Sequence, residues 1–203
     1  MKKQTVNYET LLKITNSVSH SRDPEEIVVL TVESMTHALG VKGCTIFLTN
    51  PRTNELEIAG SYGLSQEYLD KGPVSAIHSI ADSLNEGPVA IEDVSDDPRI
   101  QYPEEAKKEG ITSILSVPMT TGGRSIGAMR IYTAEPGEFE LEDVNFIQAV
   151  ANMTGMAIEM ARLNKGLKDS IEVLKTMRDP RTRKSKRRTP YEGVPRSFSR
   201  SQL

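Results

Sequence analysis

The sequence of 203 residues contains no tryptophan, a single cysteine, three histidines, six tyrosines and four phenylalanines. The lone cysteine, Cys44, excludes an intrachain disulfide framework, a zinc site built on several thiolates and a two-thiol redox pair; it suits a reducing compartment. Without tryptophan, a core has to be assembled from aliphatic side chains, Met, Tyr and Phe, and the length fits one domain with extensions. Nowhere do eighteen apolar residues run together, and the N-terminal MKKQTVNYETLLK has no apolar block behind its two lysines. The expectation is a soluble, cytoplasmic protein with no transmembrane segment.

The net charge of −3 conceals a split. Residues 1–164 hold 13 basic against 24 acidic residues, a net −11, whereas residues 165–203 hold 12 against 4, a net +8. Such asymmetry marks an acidic globule with a basic appendage. From Arg178 onward, RDPRTRKSKRRTPYEGVPRSFSRSQL is rich in Pro and Ser and poor in core formers, so residues 179–203 are expected to be disordered. Seven Lys/Arg between Arg178 and Arg188 suit non-specific contact with an acidic partner or nucleic acid, or simple solvation; nothing there supports sequence-specific recognition.

The segment Ile111 to Thr133, ITSILSVPMTTGGRSIGAMRIYT, organises the rest. Two apolar runs flank Gly122-Gly123, a pair that readily takes the positive φ angles of a primed turn, so the segment reads as a β-hairpin. Neither run alternates apolar with polar residues, which places the hairpin in mid-sheet with both faces covered. Cys44 to Thr49 and Glu55 to Tyr62 read as a second hairpin about Asn50 to Asn54. Asp23-Pro24-Glu25-Glu26 is a helix start with Glu26 in capping-box position, Ile27, Val28, Thr31, Met35, Ala38 and Leu39 form one face, and Gly40 is the stop. A weaker amphipathic helix is expected over Gln4 to Ser19, a weak helical signal over 64–78, a brief strand at Val89 to Ile91 and a helix over Pro103 to Glu109 stopped by Gly110. A long helix begins near Glu140 and keeps apolar positions through Leu141, Val144, Ile147, Val150, Met153 or Thr154, Ala157, Met160, Leu163, Leu167, Ile171, Leu174 and Met177. After Leu163 its spacing approaches a heptad, as expected of a helix that pairs with another. The boundaries that follow are 1–22 for an N-terminal dimerisation helix, 23–164 for the domain, 165–178 for a helical or coiled-coil extension and 179–203 for the tail.

In this order the chain resembles the GAF domain family. The resemblance lies in GVKGCTIFLTNPRTNELEIAGSYG, VAIEDVSDDPRI, GITSILSVPMTTGGRSIGAMRIYTAEPGEF and FELEDVNFIQAVANMTGMAIEMARL. It implies an α/β (α+β) fold: an antiparallel sheet with the terminal helices on one face and a loop and short-helix lid over a small-molecule pocket on the other. It also implies a sensory or dimerising role. The Asn-Lys-x-Phe-Asp-Glu signature of cyclic-nucleotide-binding members is absent, and no cysteine lies in the lid region where bilin-carrying members attach their chromophore. Members that reduce free methionine sulfoxide use more than one cysteine, so the chain is not expected to be an enzyme.

Arg130 is the sharpest candidate. In SIGAMRIYT it shares strand parity with Ile126, Ala128 and Tyr132, on a strand placed in mid-sheet. A charge there requires a partner. Either Glu92, Asp93, Asp96 or Asp97 supplies an internal ion pair, or the guanidinium holds a ligand's carboxylate or phosphate bidentately. The candidate ligand-binding residues are Arg130, Tyr62, His78, Asp93, Ser113, Ser116 and Tyr132. Ser113 and Ser116 serve equally well as small residues that leave room for packing. His20, His37 and His78 are isolated; His78, at the expected pocket rim, invites a haem or metal, but one imidazole is no ligand set. The acidic run Glu92 to Asp97 lacks the calcium-loop pattern, and GGRSIG lies in a turn rather than before a helix, so it is no phosphate loop. No cofactor is specified. The expected function is that of a homodimeric small-molecule sensor signalling to a separate output protein. Two alternatives remain: a ligand-free dimerisation scaffold, and a reductase relying on a reactive Cys44.

Overall fold

The structure is a computed structural model describing residues 12, 15–16, 21, 23–53, 55–72, 87–137 and 139–178. The expected N-terminal helix (but for Leu12, Thr15 and Asn16), His78 and the tail after residue 178 lie outside these described residues.

The first described helix, α1 (Pro24–Leu39), forms where its start and stop signals put it. Asp23 Oδ1 accepts from the Glu25 amide at 3.2 Å, Pro24 occupies the first turn, and Gly40 closes the helix at φ 59°. The capping box is relayed: Ser21 Oγ accepts from the Asp23 amide at 3.2 Å and donates to Glu26 Oε2 at 2.5 Å. Glu26 thus secures the helix start through a residue outside the expected motif.

Five strands follow: β1 (Gly43–Thr49), β2 (Leu56–Tyr62), β3 (Val89–Ile91), β4 (Ser113–Thr121) and β5 (Arg124–Thr133). They form one antiparallel sheet in the order β2-β1-β5-β4-β3, which puts both strands of the long hairpin inside the sheet. Gly122 and Gly123 take φ 56° and 76°, the two positive values of a type I′ turn, which matches the twist of the flanking strands. Across the β1 and β5 pair the backbones come so close at Gly127 that a Cβ there would stand 2.1 Å from the Phe47 carbonyl oxygen. The weak helical signal over 64–78 becomes, within the described residues, a single turn, α2 (Gln66–Leu69), while α3 spans Pro103–Glu109 as expected.

Parity divides the sheet into two faces. Cys44, Ile46, Leu48, Leu115, Val117, Met119, Met129 and Ile131 point one way and pack against Ile27, Val28, Val32 and Met35 of α1. The final helix, α4 (Leu141–Arg178), contributes Phe146, Ile147, Val150, Ala151, Ile158 and Ala161 to the same core. Gln148 Nε2 donates at 2.6 Å to the carbonyl of Pro118, and Asn152 Oδ1 accepts from the Thr120 amide at 3.1 Å, so α4 holds the β4 segment where proline and a register shift interrupt the ladder. On the opposite face a smaller apolar group joins Tyr68 of α2, Ile91 of β3, Val94, Ala106 of α3, Ile111, Ile114 and Tyr132.

The chain divides into two compact units, residues 1–164 and 165–203. The apolar face anticipated for α4 as one stripe is two. Leu141, Met156, Met160 and Leu163 are exposed, unlike Ile147, Val150 and Ile158. Met156 and Met160 each lie two residues from Ile158, about 200° around a helix, and so face away from the core. In the second unit every described side chain from residue 165 to 177 is exposed, among them Leu167, Ile171, Leu174 and Met177.

Candidate functional site

The sheet face opposite α1 carries a row of polar residues across four strands. Thr45 on β1 is in register with Ser61 on β2 and with Arg130 on β5, and Arg130 is in register with Ser116 on β4. Thr45 and Ser116 are fully buried and Arg130 is 6% exposed, a costly setting for polar groups and a full charge in the middle of a sheet. The row is internally bonded at one end, where the Thr45 and Ser61 hydroxyls lie 2.8 Å apart. Phe47, on the same face of β1, places its ring 4.7 Å below the Arg130 guanidinium carbon, and Arg130 makes further polar interactions with the protein.

Tyr132, two residues along β5 from Arg130, shares this face. Burial pushes its phenol pKa up, against the opposing influence of the Arg130 charge and a hydrogen bond with Thr45. The edge of the Tyr68 ring meets it with centroids 6.1 Å apart and planes at 84°. Lys71, just past α2, sits 3.3 Å above the Tyr68 ring and donates to the Tyr68 carbonyl at 2.9 Å. Its ammonium is pushed down from 10.5 to about 8, first by burial and then by the charge of Arg130, with Glu105 and Glu109 acting the other way. The Tyr68 hydroxyl is pushed up, chiefly by burial.

The short helix holds its place through Ser65. That residue caps α2 by accepting from the Tyr68 amide at 3.2 Å, donates its hydroxyl to Glu109 Oε2 and its amide to Glu109 Oε1 at 3.1 Å, and Lys42 pairs with the same carboxylate at 3.4 Å. After Lys71 the chain passes so close to Tyr102 that a Cβ on Gly72, at φ 131°, would stand 2.7 Å from its hydroxyl. A glycine is required there.

Of the residues expected to bind a ligand, Arg130, Ser116 and Tyr132 are brought together. Tyr62 is not: it pairs with Cys44 and therefore points to the α1 face, where its hydroxyl lies 3.1 Å from His37 Nε2. Ser113 has the parity of Leu115 rather than Ser116, and its hydroxyl donates to the Glu92 carbonyl at 2.8 Å and the Glu135 carbonyl at 3.3 Å. Asp93 is exposed in a turn and accepts from the Ser95 amide at 2.8 Å, while Asp97 pairs with Arg99 at 2.5 Å. His78 lies outside the described residues. Sequence reasoning missed Thr45, Ser61, Tyr68 and Lys71. Thr45 alternates with Phe47 in an otherwise apolar run, a signal that parity alone offered, but the register joining it to Arg130 is tertiary.

Cys44 is fully buried on the α1 face, and burial drives its thiol pKa far up, which makes it a small core residue rather than a nucleophile. Among the described residues no group of His, Cys, Asp and Glu is arranged to hold a metal ion, and no helix is long and apolar enough to cross a membrane.

Residues 21–159 match the profile of the GAF domain family. The chain belongs to that family. GAF domains are in general sensory and regulatory modules that bind small molecules, and the family is mostly regulatory rather than catalytic. The fold is shared with the GAF domain of a phosphoenolpyruvate-protein phosphotransferase from Coxiella burnetii, at 21% identity and TM-score 0.69 over 78% of this chain and 95% of that one. The corresponding domain from Acinetobacter is 22% identical at TM-score 0.66, over 76% and 93% of the two chains. The free methionine-R-sulfoxide reductase of Neisseria meningitidis, solved in complex with its substrate, is 19% identical at TM-score 0.66, over 77% and 90%. No curated protein matches the sequence. At these identities the likeness concerns the GAF fold alone.

Proposed function

We propose that this GAF domain is a cytoplasmic, non-enzymatic sensor that binds a small molecule on the sheet face bearing Arg130. In this reading a homodimer passes the change through helix packing to a separate output protein. The observation that carries the proposal is the row Ser61, Thr45, Arg130 and Ser116, in which Thr45, Arg130 and Ser116 are buried and Ser61 is half-buried. A structural sheet face gains nothing from a guanidinium flanked by small hydroxyls where apolar residues pack more cheaply, whereas a recognition surface needs such groups. Ligand-dependent packing then biases two arrangements of the dimer. Homodimerisation is supported by α4, on which Met160, Leu167 and Leu174 recur every seven residues, as do Met156, Leu163 and Met177 about Ser170, all of the apolar members exposed. The same stripe favours the second reading, a dimerisation scaffold without a ligand.

Native mass spectrometry of the protein purified from its own host separates the two readings. A retained small molecule lost in Arg130→Ala supports the sensor; a bare dimer in both proteins supports the scaffold. A thermal-shift ligand screen that returns the same stabilising compounds for wild type and Arg130→Ala would sink the assignment of Arg130.

A further inference from the structure

The ladder between β4 and β5 breaks near its tip, and the break is turned toward α4. Met119 pairs with Gly127 but Thr120 pairs with Ser125, so Ile126 is an extra residue with no partner on β4. The Ser125 hydroxyl spans the break by donating to the Gly127 carbonyl at 3.2 Å. Strict alternation would put Ile126 on the face of Ala128 and Arg130. Instead it packs against the core on the α4 side, where a Cβ on Gly155 would stand 3.3 Å from its Cδ1. Glycine is unfavourable inside a helix, so its use here marks the space as needed by Ile126.

The other strand of the tip is fastened to the same helix. Gln148 Nε2 donates to the Pro118 carbonyl at 2.6 Å, Asn152 Oδ1 accepts from the Thr120 amide and hydroxyl at 3.1 and 2.9 Å, and Thr121 Oγ1 donates to Glu159 Oε2 at 2.7 Å. Gln148, Asn152, Gly155 and Glu159 recur at helical spacing and form one line along α4. Met156 and Leu163 of the exposed stripe stand one turn beyond Asn152 and Glu159. With β4 bound in this way, the extra residue of β5 is the part left to move.

We infer that Ile126 is a latch with two positions, and that α4 sets which one it takes. In the closed position the turn has the two residues Gly122 and Gly123, Thr121 pairs with Arg124, and Ile126 lies against Gly155. In the open position Thr121 pairs with Ser125, Thr120 stands opposite Ile126, the turn takes in Arg124 as a third residue, and Ile126 returns to the face of Arg130. The pairing from Met119 inward is the same in both. Opening removes an irregularity from the ladder, but a three-residue turn asks its last residue, Arg124, for the left-handed conformation that suits glycine. The closed position is therefore the resting one. Loss of the Gly155 contact on α4 and arrival of an apolar side chain on the Arg130 face are one event, so a ligand that favours or excludes Ile126 there biases the helix. The latch rests on the reading of that face as the ligand site and supplies its link to α4.

The test is nuclear magnetic resonance of the full chain, reading cross-strand contacts at the tip and the population of any second state from relaxation dispersion. Wild type should show Thr121 against Arg124. Gly155→Val fills the space of Ile126 and should raise the open population at least about tenfold, with contacts between Thr121 and Ser125 appearing. Adding Ile126→Ala to Gly155→Val removes the clash and should restore the wild-type pairing. Arg124→Gly, at an exposed turn position away from core and helix, should raise the open population about fivefold or more by relieving the left-handed residue, and it carries the test if Gly155→Val does not fold. Wild-type pairing with no second state in either single variant overturns the latch. So does a Gly155→Val hairpin that loses its contacts without gaining those of Thr121 with Ser125. None of these readouts needs a ligand: an unmoved hairpin leaves the Arg130 face to native mass spectrometry, and a bare protein there removes the sensor reading while the two pairings remain measurable.

Discussion

Replacing Leu167 and Leu174 together by glutamate tests the proposed dimer at its strongest point. Both leucines are seven residues apart on α4, and they are 62% and 65% exposed. Full burial of a leucine is worth about 1.5–3 kcal/mol, so covering the exposed part of each contributes about 1–2 kcal/mol. In a symmetric pair of helices four such side chains are removed, a loss of about 4 kcal/mol at the low end before any repulsion between the new carboxylates. That corresponds to roughly a thousandfold weaker association. The stretch of α4 from residue 165 to 178 cannot easily compensate alone, because Gly166 costs about 1 kcal/mol relative to alanine and an isolated helix of under about 15 residues is marginal in water. Sedimentation equilibrium over a wide concentration range is the assay, with Lys168→Glu, an exposed neighbour off the stripe, as the control for added charge. The wild type and Lys168→Glu should sediment as dimers and Leu167→Glu/Leu174→Glu as a monomer with the domain's near-ultraviolet spectrum unchanged. Identical mass distributions for all three proteins refute the assignment of the stripe as the interface.

Three further outcomes are expected. Gly127→Ala has to force apart β1 and β5, since its Cβ would stand 2.1 Å from the Phe47 carbonyl and 3.0 Å from Leu48 Cα; a loss of about 3 kcal/mol in urea unfolding is expected, and a wild-type midpoint would contradict the close approach. Cys44 should resist a thiol reagent until the protein is unfolded, because it is fully buried and burial pushes its pKa up; native-state labelling would instead revive a reactive-cysteine reading. Ser65→Ala should lose about 1 kcal/mol at pH 7 through the helix cap. Its deficit should shrink below pH 4.5: burial raises the Glu109 pKa, but hydrogen bonds from Ser65 and the Lys42 charge outweigh this and hold it below the ordinary 4.5. A carboxylate with a depressed folded-state pKa stabilises above its unfolded value and loses that contribution as pH falls through the folded one, so an unchanged deficit at low pH would rule out the Glu109 tie.

Local chemistry was legible wherever neighbouring residues decide the outcome. Asp23-Pro24 and Gly40 bound α1, Gly122-Gly123 makes the primed turn, and Gly110 ends α3, because capping and positive φ are properties of a few consecutive residues. The unbroken apolar runs of β4 and β5 told of burial on both faces, and the sheet order puts both strands inside. What failed needed information from elsewhere in the chain. The box at Glu26 closes through Ser21, and the stripe on α4 splits because Met156 and Met160 lie about 200° around the helix from Ile158, which faces the core.

The candidate site shows the same division. By itself the sequence determined that a charged residue, Arg130, sits on an interior strand with Tyr132 on its side, because alternation along a strand is a local rule. Only the tertiary structure decided what shares that face. The cross-strand register brings Thr45, Ser61 and Ser116 into one row with Arg130 and sends Tyr62 and Ser113 to the other side, since a shift of one residue reverses every side chain. The setting of Lys71 over Tyr68, whose ring meets Tyr132 edge-on, was beyond any periodicity, because it depends on how α2 is tied to α3 through Ser65 and Glu109, residues 44 positions apart.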